Sequence, residues 1–191
     1  MQLILASASP RRRELMGLYH IPFVVRAADI DETMDPQKPA DQEVRRVSRL
    51  KALAVQREKE DVVVAADTIV VCDNRILGKP RDKDQAVRML ELLSGRDHQV
   101  MTGCTVVRGD RVESFTEITD LHFRPLSHKE ILSYVESGEP MDKAGAYGIQ
   151  GGAALFCQQL RGDYYNVVGL PVCRLYKTLS EIVPEWMEES E

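Results

Sequence analysis

The sequence is short of cysteine, of aromatic residues and of long apolar runs, and each shortage excludes a class of protein. Its four cysteines, Cys72, Cys104, Cys157 and Cys173, are widely spaced and form no Cys-x-x-Cys pair. Neither a zinc site nor the disulfide framework of a small secreted domain fits that spacing, so reduced thiols in a cytoplasm are expected. No apolar stretch approaches the roughly 20 residues a membrane helix needs. The longest, Val62 to Ala66, stops at Asp67, so no membrane partner is expected. Arg11, Arg12 and Arg13 follow the short apolar start where a signal peptide would have them precede it. Positive charge is not in excess either: 25 Lys and Arg against 30 Asp and Glu leave a net charge of −5. That balance argues against bulk nucleic-acid binding, while a local basic cluster can still hold a small anion. His20, His98, His122 and His128 show no metal-ligand spacing, and no Ser-His-Asp or Cys-His arrangement is visible. What remains is a chain of 191 residues, 43% apolar and 29% charged, with the proportions of a soluble globular protein of one domain or two closely packed lobes.

Short strands and helices are interspersed along it. Gln2 to Ala6 reads as a buried strand, followed by a helix from Pro10 to about Leu18 with Ser9 as N-cap and proline at N1. A strand near Phe23 to Arg26 precedes the acidic loop Asp29-Ile30-Asp31-Glu32. From Asp41, Val44, Val47, Leu50 and Ala54 recur at helical spacing, with Lys51 beside the stripe. Asp61 to Ala66 has the pattern of a strand covered on both faces, ending in Asp67-Thr68. Ile69 to Leu77 reads as a hairpin turning at Asp73-Asn74, and Gly78-Lys79-Pro80 as a loop. Asp82 with Gln85, and Ser127 with Glu130, are capping-box signals for two further helices, with the strands His98 to Val107 and Val112 to Phe123 between them. Asp142 to Gly152 is too rich in glycine for a helix, Ala153 to Leu160 reads as strand, and Leu170-Pro171 opens a last helix to about Ile182. The acidic tail from Pro184 is expected to be loose. Crossover-length and hairpin-length connections alternate, which predicts an α/β fold with a mixed sheet flanked by helices.

Three features carry chemical information. A strand feeding directly into a helix at Ser7-Ala8-Ser9-Pro10 leaves N–H groups free, which favour an anion. Arg11 and Arg12 sit in that first turn, where the macrodipole opposes positive charge unless an anion is bound. The competing reading is that these arginines solvate the surface. Asp67 stands where a doubly covered strand stops, the place where ligands collect in such sheets; a turn-capping aspartate is the alternative. With a loop acid, Asp67 could supply the oxygen ligands that Mg²⁺ or Mn²⁺ prefers. The glycine-rich loop allows close backbone approach to a ligand, and Gln150 within it offers both a donor and an acceptor.

The runs Leu5-Ala6-Ser7-Ala8-Ser9-Pro10-Arg11-Arg12, Ala66-Asp67-Thr68, Gly78-Lys79-Pro80, Asp142 through Gly151 and Val168-Gly169-Leu170-Pro171 together resemble the Maf family. The resemblance implies an inosine triphosphate pyrophosphatase-like (Maf/Ham1) fold over a single domain, with two lobes around a central cleft. It implies metal-dependent hydrolysis of pyrimidine nucleoside triphosphates, dTTP, UTP and possible modified relatives, to monophosphate and pyrophosphate, as house-cleaning of the nucleotide pool. A nucleotide-binding regulator of septum formation without essential catalysis is the alternative. Asp67 is implied as proton acceptor, and Glu32 and Asp67 as ligands of a Mg²⁺ or Mn²⁺ cofactor. Ser9, Arg12, Lys51 and Lys79 are implied around the phosphates, and Arg11, Thr68 and Gln150 in base choice. A homodimer is a family-level expectation.

Overall fold

The computed structural model describes residues 1–55 and 57–188; the outer end of the expected loose tail, Glu189 to Glu191, lies outside the described residues. In chain order the strands are β1 (Leu3–Leu5), β2 (Phe23–Val25), β3 (Val62–Cys72), β4 (Arg75–Leu77), β5 (Asp97–Arg108), β6 (Arg111–Phe123) and β7 (Cys157–Arg161). The α-helices are α1 (Pro10–Met16), α2 (Ala40–Ala54), α3 (Lys83–Leu93), α4 (His128–Glu136), α5 (Tyr164–Val168), α6 (Val172–Ile182) and α7 (Glu185–Glu188). The strands form a seven-stranded mixed sheet in the order β2-β1-β3-β5-β6-β7, with β4 paired to β3 off that path. The expected mixed α/β architecture is therefore present.

The chain divides into two compact units. One is built from Met1–Asp67, Thr102–Glu117 and the chain from Gly169 onward; the other from Thr68–Met101 and Ile118–Val168. In the first, β1 pairs in parallel with both β2 and β3, Leu3 opposite Phe23 and Val62. Parallel neighbours need crossover connections, which α1 and α2 supply. Alternate residues Ile4, Ala6, Val63 and Ala65 bury one face of these strands against Ala52 of α2 and Val55 just beyond it. The buried stripe of α2 contains Val44, Val47, Ser48, Lys51 and Ala52, and each fully buried valine contributes roughly 1.5–3 kcal/mol. Helix and sheet approach closely at Gly103, where an added methyl group would overlap the backbone of Val44. The Ser48 hydroxyl bonds that of Thr105 at 2.8 Å, and Thr105 bonds Ser114 at 2.9 Å. On α6, Leu175, Leu179 and Ile182 are buried at helical spacing. Beyond it, Glu185–Glu188 is helical, and Glu185 pairs with Arg108 at 2.6 Å. That ion pair holds the part of the tail expected to be loose.

In the second unit the β3–β4 hairpin turns at Asp73 and Asn74, both with positive φ (49° and 59°), as a tight two-residue turn requires. Asp82 caps α3 through the Gln85 amide at 2.7 Å, while the Gln85 side chain turns to the Arg81 amide, so only half of a capping box forms. The Ser127–Glu130 box on α4 is complete. Phe123, Phe156, Tyr134, Tyr147 and His98 make an edge-to-face aromatic cluster.

Three element boundaries also differ from the sequence expectation. The strand expected to end at Asp67 continues to Cys72, because Asp67 is charge-balanced inside the fold and Thr68 to Val71 are all β-branched. The strand expected from Ala153 begins instead at Cys157, after a 3₁₀ turn over Gly152–Leu155. Ala153, Ala154 and Leu155 have weak strand preference, and Phe156 is drawn into the aromatic cluster. The first helix is α-helical only to Met16 and tightens to 3₁₀ over Gly17–Tyr19.

Candidate functional site

Parity on β3 decides where Asp67 points. Val63, Ala65 and Asp67 alternate on one face, the face that α2 covers, and Lys51 is the next stripe position before Ala52 and Val55. The two meet: Lys51 Nζ donates to Asp67 Oδ1 at 2.7 Å, both side chains buried. Lys51 also reaches the half-exposed Glu32 at 2.9 Å. One ammonium group thus stands between two carboxylates, and these contacts use two of its three donors. An isolated carboxylate at Asp67 would be costly to bury, and the Lys51 ammonium offsets that cost.

Glu32 lies in a loop without regular structure, yet the residues after it are clamped. Glu43, almost fully buried in the first turn of α2, accepts from Arg46 Nε and an Arg46 terminal nitrogen at 2.9 and 2.8 Å. Glu43 also accepts the Asp35 amide at 2.9 Å, and Arg46 donates to the Thr33 carbonyl at 2.8 Å. These bonds, the Arg46 pair foremost, bring the Glu43 carboxyl down to about 2. Sequence reading missed this pair, because an i, i+3 Glu-Arg couple on a helix resembles any surface salt bridge.

Ser9 occupies the N-cap position of α1 in extended conformation, but its side chain makes no cap bond. Pro10 at N1 has no N–H to offer, and the Ser9 amide turns back to the Ser7 hydroxyl at 3.3 Å. Arg11 and Arg12 follow in the first turn. Arg12 donates to the Gly169 carbonyl at 2.8 Å and to Ser7 Oγ at 3.2 Å. Burial lowers its pKa, with the charges of Asp67 and Glu32 pulling the other way, so its guanidinium shares the field of those carboxylates. Gly169 presents its carbonyl from φ of 126°, a conformation that side-chain-bearing residues avoid. That explains the glycine of the Val168 to Pro171 motif, to which sequence reading assigned no role. Burial pushes the neighbouring Cys104 thiol up to about 12, which makes it inert.

The remaining candidates belong to the second unit. Thr68 follows Asp67 on β3, so its side chain faces the opposite side of the strand. Lys79 is exposed in the loop after β4, and that loop is tied to the glycine-rich segment by Gly145 N–H to Gly78 C=O at 3.0 Å. Gln150 is exposed in that same segment, flanked by Ile149, which is buried, and Gly151. The structure therefore joins Glu32, Lys51, Asp67 and Arg12 within one unit, and the loops of Lys79 and Gln150 within the other.

Among the described residues no group of three or more His, Cys, Asp or Glu side chains is arranged to hold a metal ion. The donor set that does converge, Glu32 and Asp67 around a positive charge, consists of hard oxygens. Two carboxylates suit an ion such as Mg²⁺, which usually completes its shell with water and phosphate oxygens. No helix among the described residues is long and apolar enough to cross a membrane.

Residues 2–182 match the model of a family described as Maf-like protein. A dTTP/UTP pyrophosphatase of Symbiobacterium thermophilum is 52% identical over 94% of this chain and 93% of its own. Another, from Halalkalibacterium halodurans, is 49% identical over 93% and 94% respectively. Among solved structures, a HAM1 protein from Coxiella burnetii superposes with a TM-score of 0.52 at 15% identity, covering 95% of this chain and 99% of that one, a likeness of fold alone.

Proposed function

The chain belongs to the Maf family, and from that premise we propose that it is a nucleoside triphosphate pyrophosphatase, splitting dTTP and UTP between the α- and β-phosphates into monophosphate and pyrophosphate. The observation that carries the reading is the Lys51 ammonium held between Glu32 and Asp67, with Arg12 in the same field.

Phosphoanhydride hydrolysis asks a protein chiefly to position the chain of phosphates, balance its charge and deprotonate a water. Asp67 is the proton acceptor: a carboxylate fixed by Lys51 and by its strand, with no freedom to turn away. Lys51 and Arg12, with N–H groups after Ser9, balance charge on the polyphosphate; Lys79 is proposed as a further phosphate-binding residue. An arriving phosphate competes with Glu32 and Asp67 for the donors of Lys51, which couples substrate binding to release of the base. A divalent cation such as Mg²⁺ or Mn²⁺, held by Glu32 and Asp67, would supply further charge neutralisation at the phosphates. In base choice, Gln150 offers a donor and an acceptor side by side, complementary to the N3–H and carbonyl edge shared by uracil and thymine. Arg11 and Thr68 are proposed as further residues in base choice.

A panel of the common nucleoside triphosphates with Mg²⁺ or Mn²⁺ tests this. The expected outcome is pyrophosphate release from dTTP and UTP ahead of CTP and the purines. Gln150→Ala is expected to narrow that preference more than it slows dTTP, since an unpaired polar group is what rejects the wrong base. Equal losses for every nucleotide would remove Gln150 from base choice.

A further inference from the structure

Gln150 lies on a loop whose shape is set by a carboxylate that none of the motif residues includes. Helix α4 ends at Glu136, and after Ser137 and Gly138 the chain enters a 3₁₀ turn over Glu139–Asp142. From this turn Glu139 reaches across to the glycine-rich segment. Its Oε2 accepts the Gly152 amide at 3.0 Å, and its Oε1 accepts the Tyr134 hydroxyl at 2.9 Å. The Tyr134 oxygen in turn accepts the Gly148 amide at 3.0 Å. Both backbone amides two residues from Gln150, one on each side, therefore terminate on one Glu139–Tyr134 node.

The glycines fit this arrangement. A methyl group added at Gly151 would overlap the Glu139 carboxylate, and one at Gly148 would stand 2.7 Å from the Lys143 side chain, itself bonded to the Glu139 carbonyl at 2.6 Å. The close approach that glycine permits here is to an internal carboxylate. Lys143 bonds the Glu139 carbonyl and the Asp142 carboxylate, so among these contacts the Glu139 carboxylate is met by a neutral N–H and a neutral O–H. Hydrogen bonds to an ionised acceptor are about twice as strong as neutral ones. Tyr134 is buried and its phenol is pushed above the usual range, chiefly by burial, so it remains a donor to Glu139. A loop with Gly148, Gly151 and Gly152 has high intrinsic freedom, and without such a node Gln150 would sample many positions.

We propose that Glu139, acting through Tyr134, is the positioning residue for base discrimination: it fixes the segment from Gly148 to Gly152 so that the Gln150 amide meets the base edge in one orientation. This rests on the base-reading role of Gln150 proposed above. Without Glu139 the fold can retain its turnover of dTTP, because phosphate binding and proton transfer belong to other residues, while the energetic difference between a matched and a mismatched base shrinks.

The test compares kcat/KM for dTTP and CTP in the native protein and five variants. Glu139→Ala is expected to lower the dTTP-to-CTP ratio on the order of tenfold, and Tyr134→Phe to lower it less, since the hydroxyl's bonds to Glu139 and Gly148 are lost while the Gly152 amide keeps its bond to Glu139. Glu139→Gln keeps one acceptor oxygen and should restore part of the ratio. Glu139→Ala combined with Gln150→Ala should be no less selective than Gln150→Ala alone, because both act on one contact. Should Glu139→Ala fail to fold, Tyr134→Phe carries the test with the same expected sign. Equal losses for dTTP and CTP in Glu139→Ala and Tyr134→Phe would overturn the proposal, as would further relaxation in the double variant. Gln150→Ala separates the two ways of failing. If it leaves the preference intact, the base-reading role falls and this inference with it; if it relaxes the preference while the Glu139 and Tyr134 variants do not, this inference alone falls.

Discussion

Asp67 interrupts an apolar strand, and the fold tolerates it because Lys51 arrives from α2 at 2.7 Å. Its importance was legible in the sequence as a carboxylate after five apolar residues, but its setting was not. An aspartate after such a run reads as a strand end, since only a partner far along the chain can make a mid-strand charge affordable. Glu32 was legible only through family resemblance; that it reaches Lys51 depends on a loop whose path no local pattern encodes. If Asp67 is the proton acceptor, Asp67→Asn lowers kcat for dTTP by roughly a hundredfold or more with KM nearly unchanged, because the amide keeps the shape and loses the basicity. Steady-state kinetics checks this, and unchanged turnover would remove Asp67 from the role. Lys51→Met leaves two carboxylates without their shared cation and is expected to cost roughly 2–4 kcal/mol of stability by urea denaturation.

At the scale of elements, α2 carries Lys51 and is seated by contacts well away from it. Gly103 lets the helix backbone lie directly on β5, and the Ser48–Thr105 bond fixes its rotation. Gly103→Ala forces helix and strand apart, with an expected loss of about 1–3 kcal/mol and a drop in kcat/KM, as Lys51 is drawn from Asp67. Undiminished stability in a denaturant titration would mean that the contact relaxes freely. The helix itself was readable from its three-and-four spacing; its docking partner was not, since a lone glycine in a strand gives no hint of what covers it. The Glu43–Arg46 clamp acts on the neighbouring loop. Arg46→Met is expected to raise hydrogen exchange at the Asp35 amide and to increase the divalent cation concentration giving half-maximal activity, with kcat at saturating cation little changed. No increase in Asp35 exchange would show that the loop is held by other contacts. Elements missed from sequence, the 3₁₀ turn at Glu139–Asp142 and α5 at Tyr164–Val168, are four and five residues long, too short to show a period.

For the whole molecule, one buried histidine couples stability to pH. His98 is 3% exposed and bonds Tyr147 at 2.9 Å. Burial brings its pKa down to about 4, against a smaller opposing pull from the Arg96 backbone. The folded state holds His98 neutral, whereas the unfolded chain protonates it near 6.5. Its contribution is therefore fully present above pH 6.5 and is lost as pH falls towards 4, amounting to about 3 kcal/mol. His98→Gln should flatten the pH dependence of unfolding free energy in that window; an unchanged slope would assign the effect to other groups. At this scale the sequence was most informative. The family match over residues 2–182 and the mixed sheet both agree with the interspersed strands and helices read from hydropathy. What hydropathy could not supply was the division into two units, because β3, β5 and β6 each pass from one unit to the other without a break in pattern.

In the proposed function the charges gathered around Lys51 split a nucleoside triphosphate internally. Phosphorus NMR of dTTP hydrolysis with Mg²⁺, run side by side on the native protein and Asp67→Asn, tests it most directly. The expected products are dTMP and pyrophosphate in equal amounts from the first time point, with almost no turnover by the variant. Accumulation of dTDP and orthophosphate, or undiminished pyrophosphate release by Asp67→Asn, would contradict it.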